Sequence, residues 1–187
     1  KKKKKQNING IAYNTAVGYN SGGAITTGTG HTIVGALAGD ALTTGTVNTI
    51  VGYTAGTNLE TGGENVIVGS AAMNSANGSE SRNVAIGTNA LYAMDSDGSN
   101  YNVAVGYDAG KAVTTGIANT LIGGLAGDAL TAGNYNVALG YHALGAEDAS
   151  STNVAVGAFS LMTQDAGVDA FNTTVGYAAG FLTTTGV

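Results

Sequence analysis

Ten times along the chain an Asn, once replaced by His, stands four residues ahead of a Gly, with an aliphatic residue immediately before that Gly. The anchors are Asn14, His31, Asn48, Asn65, Asn83, Asn102, Asn119, Asn136, Asn153 and Asn172; the glycines are Gly18, Gly35, Gly52, Gly69, Gly87, Gly106, Gly123, Gly140, Gly157 and Gly176. Successive anchors are 17, 17, 17, 18, 19, 17, 17, 17 and 19 residues apart. A unit this short cannot bury an apolar face alone, so the period demands a stack in which each unit covers the next. The repeats fill residues 11–187 as one array, preceded by a basic segment, 1–10, expected to be flexible.

Numbering each unit from its anchor, position +1 is always Thr or Val and position +3 is always Val, Ile or Leu. Side chains alternate along a strand, so +1 and +3 share one face of a short β-strand opened by the Asn. The +3 column, without a polar exception, reads as core. Position +2, on the other face, is apolar in nine of ten units (Ala16, Ile33, Ile50, Ile67, Ala85, Ala104, Leu121, Ala138, Ala155; Thr174 is the exception). A strand apolar on both faces fits a parallel stack with one face inside the coil and the other covered by another copy of the chain. Position +7 is Ala or Ser, +8 reads as a second short strand or tight return, and Thr-Thr-Gly at 26–28, 43–45, 114–116 and 184–186 reads as a turn. The expected fold is all-β: a parallel β-solenoid or β-roll of ten coils, roughly 45–50 Å long at about 4.8 Å per strand. A ladder of Asn side chains should run up it, interrupted at His31.

A longer period underlies the short one. Shifting by 88 residues carries Asn14 onto Asn102 and Ala36-Leu-Ala-Gly-Asp-Ala-Leu-Thr onto Gly124-Leu-Ala-Gly-Asp-Ala-Leu-Thr, so the array is a duplicated five-coil block, about 11–98 and 99–187. The long fourth and fifth units predict loops at 75–82, 92–101 and 164–170.

Composition narrows the function classes. There is no cysteine, hence no disulfide framework or thiolate metal site. No run reaches the roughly 18–20 apolar residues that span a bilayer, so membrane insertion is not expected. Five of the seven basic residues are Lys1 to Lys5, an electrostatic arm or an added tag; the array keeps Arg82 and Lys111 against 12 acidic residues, a formal charge of −10. Such a body repels a phosphate backbone, which argues against nucleic acid as partner.

No catalytic constellation is visible. His31 and His142 lie in different coils, and Asp40 and Asp128, equivalent across the duplication, should stand about 24 Å apart at five strand spacings. The chain reads as a non-enzyme without a cofactor. Asp95, Asp97 and Asn100 alternate as in calcium loops, but the bidentate Glu such loops need is missing, so Ca2+ is only a weak expectation. Tyr19, Tyr53, Tyr107, Tyr141 and Tyr177, all at +5, read either as an aromatic platform for sugars or as packing between chains. Tyr92, Tyr101 and Arg82, in or beside the long units, are candidate surface-binding residues.

The Asn-Val-Ala-Val-Gly cores at 102–106 and 153–157 and the Asn-Thr-x-Val-Gly-Tyr cores at 14–19, 48–53 and 172–177 resemble two related repeat families. One is the head of trimeric autotransporter adhesins, a left-handed parallel β-roll; the other is the shaft of phage tail fibres that carry endosialidase-type chaperone domains. The resemblance covers residues 11–187, although the unit here is longer than that of adhesin heads. It implies an extracellular homotrimeric fibre on a virion or cell surface, a multivalent attachment role through protruding loops, and a surface glycan or protein as partner. The alternatives are a self-assembling spacer filament, joined end to end and without a ligand, and a monomeric ice- or glycan-binding solenoid. Against the ice reading, the paired threonines are adjacent, so their side chains point opposite ways.

Overall fold

The computed structural model describes residues 13–146, 149–164 and 169–183; the Lys1–Lys5 run and the last Thr-Thr-Gly turn lie outside them. The described residues are all β and turn, with no helix that could cross a membrane. Ten three-residue strands, β1 (Thr15–Val17), β2 (Thr32–Val34), β3 (Thr49–Val51), β4 (Val66–Val68), β5 (Val84–Ile86), β6 (Val103–Val105), β7 (Thr120–Ile122), β8 (Val137–Leu139), β9 (Val154–Val156) and β10 (Thr173–Val175), form one parallel sheet in chain order. Each strand occupies +1 to +3 of its coil, and neighbours pair in strict repeat register, as Thr32 with Thr49 and Val34 with Val51. The solenoid is thereby established, with one strand per coil: the +8 region is turn, not a second strand.

The inside of the coil differs from expectation. The +2 column is enclosed, with Ile33, Ile50, Ile67, Ala85, Ala104, Leu121, Ala138 and Ala155 all at 0% exposure. The +3 column, read as core, faces outward: Val17 is 59% exposed and Leu139 44%. Hydropathy alone did not separate the two columns because both are aliphatic. The rest of the core comes from +7 and from a column at +11, namely Ile25, Leu42, Leu59, Ala76, Met94, Val113 and Leu130. Position +8 adds Met73, Leu91, Leu144 and Leu161; its size trades with +2 of its own coil in six coils and, where Ala104 and Gly110 are both small, with Leu121 of the next coil, which would lie 2.7 Å from a Cβ on Gly110. Ile33, Ile50 and Leu121 share their coils with Gly39, Gly56 and Gly127, whereas Ala85, Ala138 and Ala155 share theirs with Leu91, Leu144 and Leu161. Where Ile67 and Met73 are both large, +11 shrinks to Ala76. A core of near-crystalline density requires such trading of volume.

Two devices lock the stack. Every +4 glycine has φ between 125° and 143°, and a Cβ there would strike the carbonyl of the +4 glycine one coil above in all but the last coil. Only glycine meets both conditions. The second device is the Asn column. Each anchor's Oδ1 accepts the backbone N–H of the next anchor, as Asn136 N donates to Asn119 Oδ1 at 2.9 Å. In six coils the anchor's Nδ2 donates to the carbonyl that closes its own coil, as Asn119 does to Gly133 at 2.9 Å; Asn83 donates instead to Asn100 Oδ1 and Asn153 to Ser150 Oγ. His31 does not interrupt this ladder: Nδ1 accepts from Asn48 N at 3.1 Å and Nε2 pairs with the Gly45 carbonyl at 2.9 Å. Those contacts require the neutral ring with its proton on Nε2, and burial correspondingly lowers the His31 pKa.

Candidate surface for attachment

The outer sheet face is a strip of +1 and +3 side chains running the length of the array. It is Thr or Val beside Val, Ile or Leu on all ten coils, and Val17, Val34, Ile86, Leu139 and Val175 are exposed along it. Columns at −1 and +5 flank the strip. Coils 1, 3, 6, 8 and 10 carry Tyr at +5 and Tyr, Val or Phe at −1, all exposed: Tyr13 with Tyr19, Val47 with Tyr53, Tyr101 with Tyr107, Tyr135 with Tyr141, and Phe171 with Tyr177. The remaining coils carry neither Tyr nor Phe at either flank. Large residues lean over these gaps. A Cβ on Gly124 would lie 3.5 Å from the Tyr141 ring, and one on Gly30 would lie 3.5 Å from Val47.

The long units do not simply protrude. Ala76, Glu80, Met94 and Asn100 are buried, and the two long turns bond to each other where Ser79 N donates to Asp97 Oδ1 at 2.9 Å. The weakly expected cation set is dispersed by this folding. Asn100 turns inward to accept from Asn83 Nδ2 at 3.0 Å, while Asp95 and Asp97 stay on the surface. Among the described residues no group of three or more His, Asp or Glu side chains is placed to hold a metal ion. Glu80 is enclosed, with Oε2 accepting from Gly78 N at 3.1 Å and Oε1 unpartnered. Burial raises its pKa, and the nearby Asp97 and Asp95 add to the rise. Residues 165–168 of the third expected loop lie outside the described residues; Gln164 is buried and bonds Asn153 Oδ1 at 3.3 Å.

Of the candidate binding residues, stacking unites two. Arg82 Nη1 donates to Tyr101 Oη at 3.0 Å, its guanidinium sits 5.7 Å from the Tyr101 ring centre, and Nε pairs with Glu64 Oε2 at 3.0 Å. All three are −1 residues of consecutive coils. Tyr92 stands apart at +9 of coil 5.

A second cluster was not legible in the sequence, because only the stack assembles it. Asp108 (+6 of coil 6) accepts from Asn89 Nδ2 at 2.8 Å and pairs with Lys111 at 3.0 Å. One coil up, Asp128 Oδ1 lies 4.0 Å from His142 Nδ1, beyond hydrogen-bond reach, so neither atom has a partner. Burial raises the Asp128 pKa, His142 opposes the rise, and Asp108 reinforces it. The His142 ring stacks on Phe159 at 6.3 Å, and Phe159 meets Tyr141 and Tyr177 edge-on at 5.4 and 5.8 Å. Asp40, the equivalent of Asp128, accepts instead from Asn20 Nδ2 at 3.3 Å.

Comparison with known proteins returns no matching family model, no matching curated protein and no matching solved structure.

Proposed function

We propose that this chain is a structural element of an extracellular attachment fibre, on a virion or cell surface, that works as a homo-oligomer joined through the outer sheet face. Its task is mechanical and multivalent, without catalysis or a resident cofactor. The carrying observation is that the outward strip is apolar at +3 on all ten coils. The strip is about 45 Å long and, at three residues per strand, about 10 Å wide, so it offers roughly 450 Å² per copy, about half the ~800 Å² per partner of a standard specific interface. An exposed apolar surface of that extent marks association. The resemblance of the Asn-x-x-Val-Gly cores to adhesin heads and tail-fibre shafts implies three copies, end-to-end joining being the other route to a fibre. Identical copies present the same surface sites together, so weak contacts add through effective concentration.

Native mass spectrometry of the purified chain tests the reading. A defined oligomer, expected to be a trimer of the 18.3 kDa chain, supports it. Conversion of that species to monomer by charges on the strip, as in Val34→Lys with Leu139→Lys, locates the interface there. A wild-type monomer at micromolar concentration refutes the reading.

A further inference from the structure

The five coils of the second block repeat those of the first, yet the surface ridge at +5, +6 and +9 differs between them. Coil by coil, Asn20 becomes Asp108, Gly23 becomes Lys111, Thr54 becomes His142, Ala71 becomes Phe159 and Thr88 becomes Tyr177, while Asp40 is kept as Asp128. None of these changes serves the core, which lies at +2, +7, +8 and +11. Their joint effect is three aromatic rings in edge-to-face contact over coils 8 to 10, beside a carboxylate and an imidazole on coils 7 and 8.

We propose that this ridge binds a neutral carbohydrate, with pyranose rings lying on Tyr141 and Tyr177 and their hydroxyls bonded by Asp128 and His142. Tyr141 and Tyr177 are 51% and 78% exposed. They stand two coils apart, roughly 10 Å along the rod by the strand spacing, about the length of a disaccharide. Phe159, half-buried between them, fixes both rings through its edges. The Asp128 and His142 side chains keep about a quarter of their surface open, 26% and 23%. A carboxylate beside an imidazole supplies both acceptors and a donor, the mixed set that vicinal hydroxyls need. Charge selects against acidic sugars and nucleic acid, because the array carries −10 and Asp128 lies on the ridge itself, where Lys111 is taken up by Asp108. The ridge begins at +5, beside the +1/+3 strip, so association confined to the strip leaves it free.

This inference rests on the attachment reading only for its biological use, and its test is separable. Electrophoresis of the full chain through native gels containing neutral polysaccharides (a β-glucan, a galactomannan and glycol chitin) reads binding as retardation. At least one should retard the wild type. Tyr141→Ala and Tyr177→Ala should each weaken binding about tenfold, and Asp128→Asn should weaken it without lowering the melting temperature. Tyr53→Ala, the first-block counterpart of Tyr141→Ala, should leave it unchanged. Absence of retardation by all three polymers overturns the proposal, as does equal loss in Tyr53→Ala. A monomer that is still retarded would refute the fibre reading and keep this one; an oligomer that is never retarded would do the reverse.

Discussion

The two five-coil blocks are built to one plan but solve it differently. In coil 3 the wall is Ile50 and the opposing corner Gly56; in coil 8, its counterpart, the wall is Ala138 and the corner Leu144. In coil 2 the inner ladder uses His31; in coil 7 it uses Asn119. By contrast the +4 glycines and the strand register are the same throughout. Positions where backbone meets backbone admit no variation, positions where side chain meets side chain admit compensated variation, and the outer ridge diverges freely.

The sharpest way to break this equivalence is to touch what does not vary. Gly52→Ala would drive a methyl into the Gly69 carbonyl while holding φ near +142°, where L residues are strained. We expect a loss of roughly 4 kcal/mol or more, with the same loss for Gly140→Ala in the second block, both read by urea denaturation. Near-wild-type stability of either variant would mean that the stack can slide locally.

Compensated variation is tested by moving one block's solution into the other. Ile50→Ala should cost about 2–5 kcal/mol by opening a cavity. Gly56→Leu alone should cost about 1–3 kcal/mol, because its first carbon already lies 3.1 Å from Ile67 Cδ1. Together they recreate the coil 8 pair, and Leu is tolerated at +8 with φ near 50°, as Leu91 shows. Ile50→Ala clears Ile50 Cδ1, 3.6 Å from the added carbon, but leaves Ile67, so the double variant should recover about 1 kcal/mol over additivity. Strict additivity would show that the Ile/Gly and Ala/Leu alternation is coincidence.

Much of this was written in the period itself. The Asn that opens each strand, the glycine after it and the Thr-Thr-Gly turn each recur in phase; Thr26, Thr27 and Gly28 all donate to the Thr43 carbonyl. What failed was the choice of inner face. Val at +3 and Ile or Ala at +2 are equally apolar, and an invariably aliphatic column looked more like core than a variable one. The usable signal was the opposite: +2 trades size with +8 in six coils, and a third apolar column at +11 had only to be lined up from Ile25 to Leu130. The aromatic ridge was hidden for a different reason. Asp128, His142 and Phe159 are separated by 14 and 17 residues and meet only when coils are stacked.

The ladder gives the next contrast. Asn119→Ala removes the acceptor of Asn136 N and the donor to the Gly133 carbonyl. Two enclosed backbone groups without partners, at about 1–3 kcal/mol each, should cost roughly 3 kcal/mol in thermal or chemical unfolding. A cost below that of an ordinary surface substitution would imply that water reaches the column.

The smallest effect distinguishes the blocks by pH, because buried titratable groups of opposite sense lie in the first. The His31 pKa is lowered by burial from 6.5, so the unfolded chain takes up the proton first: its stability contribution is complete above that value and lost as pH falls below it. The Glu80 pKa is raised from 4.5, chiefly by burial. Its contribution is therefore complete below 4.5 and lost as pH rises through the folded value. His31→Asn should remove the decline below pH 6.5. Glu80→Gln, which keeps an acceptor for Gly78 N, should raise the melting temperature by a few degrees at neutral pH and change it little at acid pH. Asn119→His should import the acid decline into the second block, since its ring would have to stay neutral to accept from Asn136 N. Melting curves of the three variants between pH 4 and 8 separate these senses. An Asn119→His array that melts with wild-type pH dependence would mean that the two ladders, unlike the two cores, are not interchangeable.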